Sequence, residues 1–329
     1  TDEWKEMGPM LAHRSPSGRR KNGYDSYSML NGRVYALPLD PSVQIFLYRT
    51  DLFHDAKLCR AYYERFHENL VVPTTYEQYL HAAEFFTRSC NPDSPTEYGT
   101  TMTCGSASVA ASDFLPFYLS RIDRFGSTPE TLRLDSPEMQ AAMRQYHALE
   151  KFSCKQNWWG DSIQKFAEGK TAMTVIYSNY AAELINSGNS VVVGRVGAAI
   201  LPGCKPLLGG GIVGISRYSQ KAEACKQFFH WYYSADVASL LVRLGGTSPI
   251  VDAYEDFQNY SIFPWMNTSK KSFGLGQRGV INQTPERFSI PKYEFAVGTA
   301  VRNVVDLMTP EDASRMAQAL YDAADPVCR

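Results

Sequence analysis

The chain has no run of about 18 consecutive apolar residues, the length a helix needs to cross a membrane. It also has almost no net charge: 33 Lys and Arg face 34 Asp and Glu, a formal balance of −1. Without a positive field there is nothing to draw a polyanion, so direct nucleic-acid contact by this part is not expected. The first ten residues, Thr1 to Met10, are polar rather than the apolar core of a signal peptide, and no initiator Met is present. No internal repeat or low-complexity tract occurs.

The seven cysteines (Cys59, Cys90, Cys104, Cys154, Cys204, Cys225 and Cys328) contain no C-x-x-C pair, which excludes zinc-ribbon and thioredoxin-type readings. Scattered and odd in number, they fit a reducing compartment better than an oxidising one. Gly169-Lys170-Thr171 lacks the earlier glycine of a phosphate loop and is followed by an apolar strand where a helix must begin. His81 and Glu84 form one i, i+3 pair with no second ligand set, the pattern of a solvated helix face. Gly105-Ser106-Ala107-Ser108 lacks the closing glycine of a nucleophile elbow. Glu255-Asp256 and Glu311-Asp312 are adjacent and so diverge on a helix or strand, which argues against glycosidase chemistry. No catalytic residue, metal or cofactor is expected.

Of the 329 residues, 44% are hydrophobic and 20% charged, enough for two domains with substantial cores. The polar stretch Ser15 to Gly23 reads as a loop. Asn31-Gly32 is a turn signal between Tyr27–Leu30 and Arg33–Leu37, with Pro38 closing the hairpin. Val43 to Tyr48 reads as a buried strand. Thr74 or Thr75 can cap a helix bearing Glu77 in its first turn and Tyr79, Ala82, Ala83 and Phe86 on one face, ending near Asn91-Pro92. Further helices are expected over Asp113–Leu119, over Pro137–Phe152 behind Ser136, from Ser219 through Tyr232, and over Phe295–Met308 and Glu311–Ala324. Strands are expected at Ala172–Tyr177, Val191–Val193 and Val196–Leu201. The mixture is α/β with several changes of direction.

Four ordered stretches resemble a known family. They are Asn31 to Pro38 with Leu47 to Phe53 and Val72 to Glu77; Phe166-Ala167-Glu168-Gly169-Lys170-Thr171-Ala172-Met173; Pro202-Gly203 with Gly209 to Ser216; and Ala224 to Trp231 with Gly245 to Pro249. Together they are similar to the extracellular solute-binding proteins of bacterial ABC importers, in the sugar-binding branch that includes maltose-binding protein. Arg49-Thr50 stands where that branch usually has Asn-Lys, and Tyr76 where it has Trp. The family opens with a strand, helix and strand that nothing before Gly32 supplies, so the first lobe is expected to be incomplete.

The resemblance implies a two-lobed periplasmic-binding-protein-like fold with the ligand cleft between lobes. Residues 1–41 and 210–262 would form lobe one and 43–207 and 263–329 lobe two, with hinge crossings near 40–43 and 208–211. It further implies a ligand site at Tyr177-Ser178-Asn179-Tyr180, where aromatic faces and short polar groups cluster; Tyr177 and Tyr180 could equally cover the core. Asp40 and Ser42 would sit at the first crossing, though a turn-forming Asp-Pro accounts for Asp40 as well. Gly209 and Gly210 would offer amides to ligand or serve only as hinge. Trp158, beside Trp159, would stack on a sugar ring or belong to the core. Tyr293, with Glu294, aligns with a late cleft segment.

The implied activity is non-enzymatic: capture of a mono- or oligosaccharide and delivery to ABC permease subunits in the membrane. The protein would then be periplasmic or a membrane-attached lipoprotein. The alternative is a cytoplasmic ligand-sensing domain fused to a DNA-binding domain, which the cysteine usage favours.

Overall fold

The computed structural model describes residues 29–30, 33–123, 129–186, 188, 190–254, 258, 263–276 and 290–323. The opening loop of residues 15–23, the Asn31-Gly32 turn, Glu255-Asp256 and Cys328 lie outside them, as does nearly all of the stretch before Gly32 on which the expectation of an incomplete first lobe rests.

The organising element is β4 (Ser42–Arg49), preceded by three two-residue strands, β1 (Met29–Leu30), β2 (Arg33–Val34) and β3 (Leu37–Pro38). β4 lies between β7 (Met173–Tyr177) and β8 (Val196–Ala199), both antiparallel to it, and its first residues also pair with β9 (Leu208–Gly209). The alternation of β4 explains its near-continuous apolar run: Phe46 faces one core cluster, whereas Val43, Ile45 and Leu47 face another. The first core holds α3 (Tyr76–Phe85), α4 (Ala107–Leu119), α5 (Pro137–Glu150), α11 (Ile290–Asp306) and α12 (Pro310–Ala323). The second holds α6 (Trp159–Ala167), the 251–254 turn, the start of α10 (Met266–Leu275), and Ala238 and Val242 of α9 (Ala235–Arg243).

A smaller third cluster, Leu37, Phe229 and Tyr233, joins β3 to α8 (Ala222–Tyr232). The hairpin expected to run to Leu37 is split. β2 pairs with β1, and the chain then breaks at Tyr35-Ala36 so that β3 can pair with β10 (Ile212–Val213). The hydroxyls of Tyr232 and Tyr233 donate to the carbonyls of Leu39 and Pro38 and fix that segment. The remaining elements are the parallel pair of β5 (Thr100–Thr103) and β6 (Ser153–Gln156), and the short helices α1 (Thr50–Phe53), α2 (Ala56–Phe66) and α7 (Glu183–Asn186).

Helix starts follow the caps. Thr75 accepts from Gln78 N–H, and Gln78 Oε1 accepts from the Thr74 and Thr75 amides. Ser136 accepts from Met139 N–H at the start of α5. The end of α3 comes earlier than Asn91-Pro92, because the Thr87 hydroxyl donates to Ala83 O and accepts from Gly99 N–H, while Asn91 Nδ2 caps the Phe85 carbonyl. Val191–Val193 is not a strand. Only Val192 is buried there, and Arg195 N–H closes a turn onto its carbonyl.

Candidate functional site

The expected ligand segment sits where β7 ends. Tyr177 is the last residue of that strand, and Ser178–Tyr180 form a single 3-10 turn directly after it. Tyr177 is half-buried, with its ring edge-on to Trp159 at a centroid separation of 5.1 Å. Trp158 Nε1 donates to the Tyr180 hydroxyl at 2.8 Å. The two tryptophans therefore divide: Trp159 is core, and Trp158, about half exposed at 49%, stands at the rim with Tyr180.

Three chain segments converge beside these rings. β4 and β9 pair Ser42 with Gly209, and a methyl group on Gly209 would come within 2.6 Å of Tyr177 Cε1 and 2.8 Å of Ser42 Oγ. Glycine at 209 is thus what lets the Tyr177 ring lie on β9. At Gly210 φ is +100°, a conformation costly for any side chain, and the Asp40 carbonyl fills the space a Cβ would need. The Asp40 carboxylate accepts from Gly211 N–H, so it braces this turn.

Polar chemistry here comes from few groups. Asn179 Oδ1 is buried and has no hydrogen-bond partner, an unusual state for a buried acceptor. Burial pushes the Tyr177 phenol up, opposed by a hydrogen bond to Ser112 and reinforced by the charges of Glu294 and Asp113. Burial likewise raises Tyr180, opposed by the Trp158 hydrogen bond and reinforced by Asp40. The charges that act on both rings are therefore negative.

Three of the expected contacts are enclosed in the structure. Ser42 and Ser178 are almost fully buried, at 1% and 2% exposure. Ser42 pairs with Gly209 through the backbone of β4 and β9, and Ser178 Oγ accepts from Val43 N–H at 3.3 Å. Tyr293 is fully enclosed in the first core, edge-on to Tyr321 at 5.8 Å. Its neighbour Glu294, half-buried, is the residue of that segment that acts on Tyr177. Trp158, Tyr177, Asn179, Tyr180, Gly209, Gly210 and Asp40 remain together. Gln44 and Ser112, absent from the sequence-based expectation, also belong to this corner; a lone Gln inside an apolar strand was the available signal.

Among the described residues, no group of three or more His, Cys, Asp or Glu is arranged to hold a metal ion. A small cavity in the first core is lined by Tyr76, Tyr79, Asp113, Phe117 and Val175 among others. Its volume of about 10 Å³ has room for one water and none for a solute.

Solved structures share this architecture. A solute-binding protein of an ABC transporter from Agrobacterium radiobacter, in complex with ribitol, superposes with a TM-score of 0.72 at 21% identity, covering 97% of this chain and 78% of its own. The MalE3 protein of T. maritima with maltose bound gives 0.70 at 20% identity, covering 90% and 74%. The GacH receptor of Streptomyces glaucescens, known unliganded and with acarbose, gives 0.70 at 17% identity, covering 96% and 77%. The fold is accordingly the two-lobed one of periplasmic binding proteins. Residues 7–265 match the family model described as bacterial extracellular solute-binding protein, and the chain belongs to that family.

Proposed function

We propose that this protein captures a small uncharged polyhydroxylated solute, a sugar or polyol, between two lobes and delivers it to the permease subunits of an ABC importer. The observation that carries the reading is Asn179 Oδ1, a buried acceptor with no partner beside the Tyr177 and Tyr180 rings. A ligand hydroxyl supplies the missing donor, and the rings supply the flat apolar surface on which a sugar packs. Asp40 and Glu294 bias the corner against anions and offer strong acceptors for hydroxyl groups. The ribitol, maltose and acarbose complexes of similarly folded proteins support the same ligand class.

Lobe boundaries at 1–41 with 210–262, and 43–207 with 263–329, go with this reading, the crossings lying near 40–43 and 208–211. Gly209 and Gly210 then serve as hinge, and their amides face the solute. Membership of the extracellular solute-binding family supports a location outside the cytoplasm, either free in a periplasm or held by a lipid anchor. The second reading, a cytosolic ligand-sensing domain of a transcriptional regulator, is favoured by one observation: Cys59, Cys90, Cys104, Cys154, Cys204 and Cys225 are all free thiols.

A thermal-shift screen with ribitol, D-mannitol, maltose and a phosphorylated sugar tests the ligand class. A ligand that prefers the folded form must raise the melting temperature. A rise with at least one neutral compound and none with the phosphorylated one is expected; no rise with any neutral compound rejects the reading.

A further inference from the structure

Gln44 is a fully buried amide, the third residue of β4, set within the apolar run of Val43 and Ile45–Leu47. Both ends of its side chain are engaged. Nε2 donates to the Ser112 carbonyl at 2.8 Å, and Oε1 accepts from Leu207 N–H at 3.0 Å. The backbone doubles the second link, since Gln44 N–H donates to Leu207 O at 3.0 Å.

The Ser112 carbonyl is open to this donor because α4 contains Pro116. Proline has no N–H, so the carbonyl four residues earlier loses its helical partner. Tyr177 is the residue paired with Gln44 across the β4–β7 ladder. Leu207 immediately precedes β9, on which the Tyr177 ring lies at Gly209. One residue thus joins the segment leading into β9, helix α4, and the strand that carries Tyr177.

We propose that Gln44 is a positioning residue that couples the crossing at 207–211 to Tyr177, so that movement of the crossing strand reorients the ligand-facing ring. This rests on the solute-binding reading for its consequence, but not for its geometry. Buried aliphatic residues would hold β4 equally well; what a Gln adds is a two-ended polar link with fixed partners.

The test uses the full chain and three forms of it. Gln44→Leu removes both ends of the link. Gln44→Glu keeps the acceptor for Leu207 N–H and loses the donor to Ser112. Gln44→Leu with Pro116→Ala restores a helical N–H to the Ser112 carbonyl and leaves Leu207 N–H free. Amide exchange is read by mass spectrometry without ligand, and affinity is read by calorimetry with ribitol, D-mannitol and maltose.

Exchange over Leu207–Gly209 is expected to rise about tenfold or more in both forms carrying Gln44→Leu and to stay low in Gln44→Glu. Affinity for the compound that wild type binds is expected to fall about tenfold in Gln44→Leu and Gln44→Glu, through the loosened pairing with Tyr177. Unchanged exchange in the doubly substituted form overturns the coupling, as does raised exchange with unchanged affinity. Recovery of both readouts on adding Pro116→Ala would reduce Gln44 to a partner for one carbonyl and also overturns it. Wild type that binds none of the three compounds rejects the solute reading alone, and exchange then decides the link. A Gln44→Leu chain that fails to fold leaves Gln44→Glu and the doubly substituted form to decide.

Discussion

The ring of Tyr177 lies directly over Gly209, so close that an added methyl carbon would stand 2.6 Å from Cε1 and 2.7 Å from Cδ1. A residue of β9 and a residue of the candidate site are thereby in contact across 32 positions of sequence. Each constrains what the other can be.

Gly209→Ala must therefore push the ring off the strand. Its backbone conformation is not the obstacle; the steric conflict with Tyr177 and Ser42 is. We expect ligand affinity to fall about tenfold or more, with a stability loss of about 1–3 kcal/mol from overpacking. Calorimetric titration beside a denaturant melt checks both, and wild-type affinity in this variant would show that the ring's seat on Gly209 is immaterial to binding.

Tyr177→Ala and Asn179→Ala should each weaken sugar binding by about 1–3 kcal/mol, the scale of a lost stacking surface or an unpaired buried polar group. The two differ in the ligand-free state. Removing the orphaned Asn179 amide should leave stability unchanged or raise it, since its Oδ1 has no partner to lose. Unchanged isotherms in both variants would move the site elsewhere.

Trp158 and Tyr180 are joined by one hydrogen bond at the rim. Trp158→Phe and Tyr180→Phe each remove it while keeping a ring. A double-mutant cycle on ligand affinity should give a coupling of about 0.5–1.5 kcal/mol. Additive effects would mean the bond does not organise the rim.

Asp113 provides a pH signature. Burial pushes its carboxyl up to about 7, opposed by hydrogen bonds from the Tyr146 hydroxyl at 2.7 Å and Thr103 N–H at 3.2 Å. The folded state then holds a proton that the unfolded chain, titrating near the ordinary carboxylate range, releases. Stability falls as pH rises from about 4 to about 7 and levels off above, by no more than about 4 kcal/mol. Asp51, Asp135, Glu168, Glu311 and Asp312 are shifted down and act in the opposite direction, below that window. Asp113→Asn should flatten the dependence between pH 5 and 8 in chemical denaturation; an equal slope in wild type and variant would place the proton elsewhere.

Much of the architecture was legible locally. The Val43–Tyr48 run, Ser136-Pro137 before a helix and the pattern after Gly169-Lys170 each report a strand, a cap or a motif through neighbours in sequence, and the elements form there. Val191–Val193 misled because three β-branched residues in a row satisfy a strand pattern even when only the middle one is buried. The candidate site divides the same way. Tyr177, Tyr180 and Trp158 were identifiable as aromatic groups beside short polar ones. That Ser42, Ser178 and Tyr293 are enclosed could not be read from their types, since a hydroxyl serves a ligand or a neighbouring amide equally well.

What the sequence by itself determined was the set of local elements and the family pattern, because helix caps and burial periodicity depend on residues a few positions apart. Only the tertiary structure decided which polar groups remain unspent. Gln44 finds its partners 68 and 163 residues away, while Asn179 Oδ1 finds none. A buried donor or acceptor is satisfied by whatever the packed chain brings within 3 Å or so, and that proximity is a property of the assembled core rather than of any segment of it.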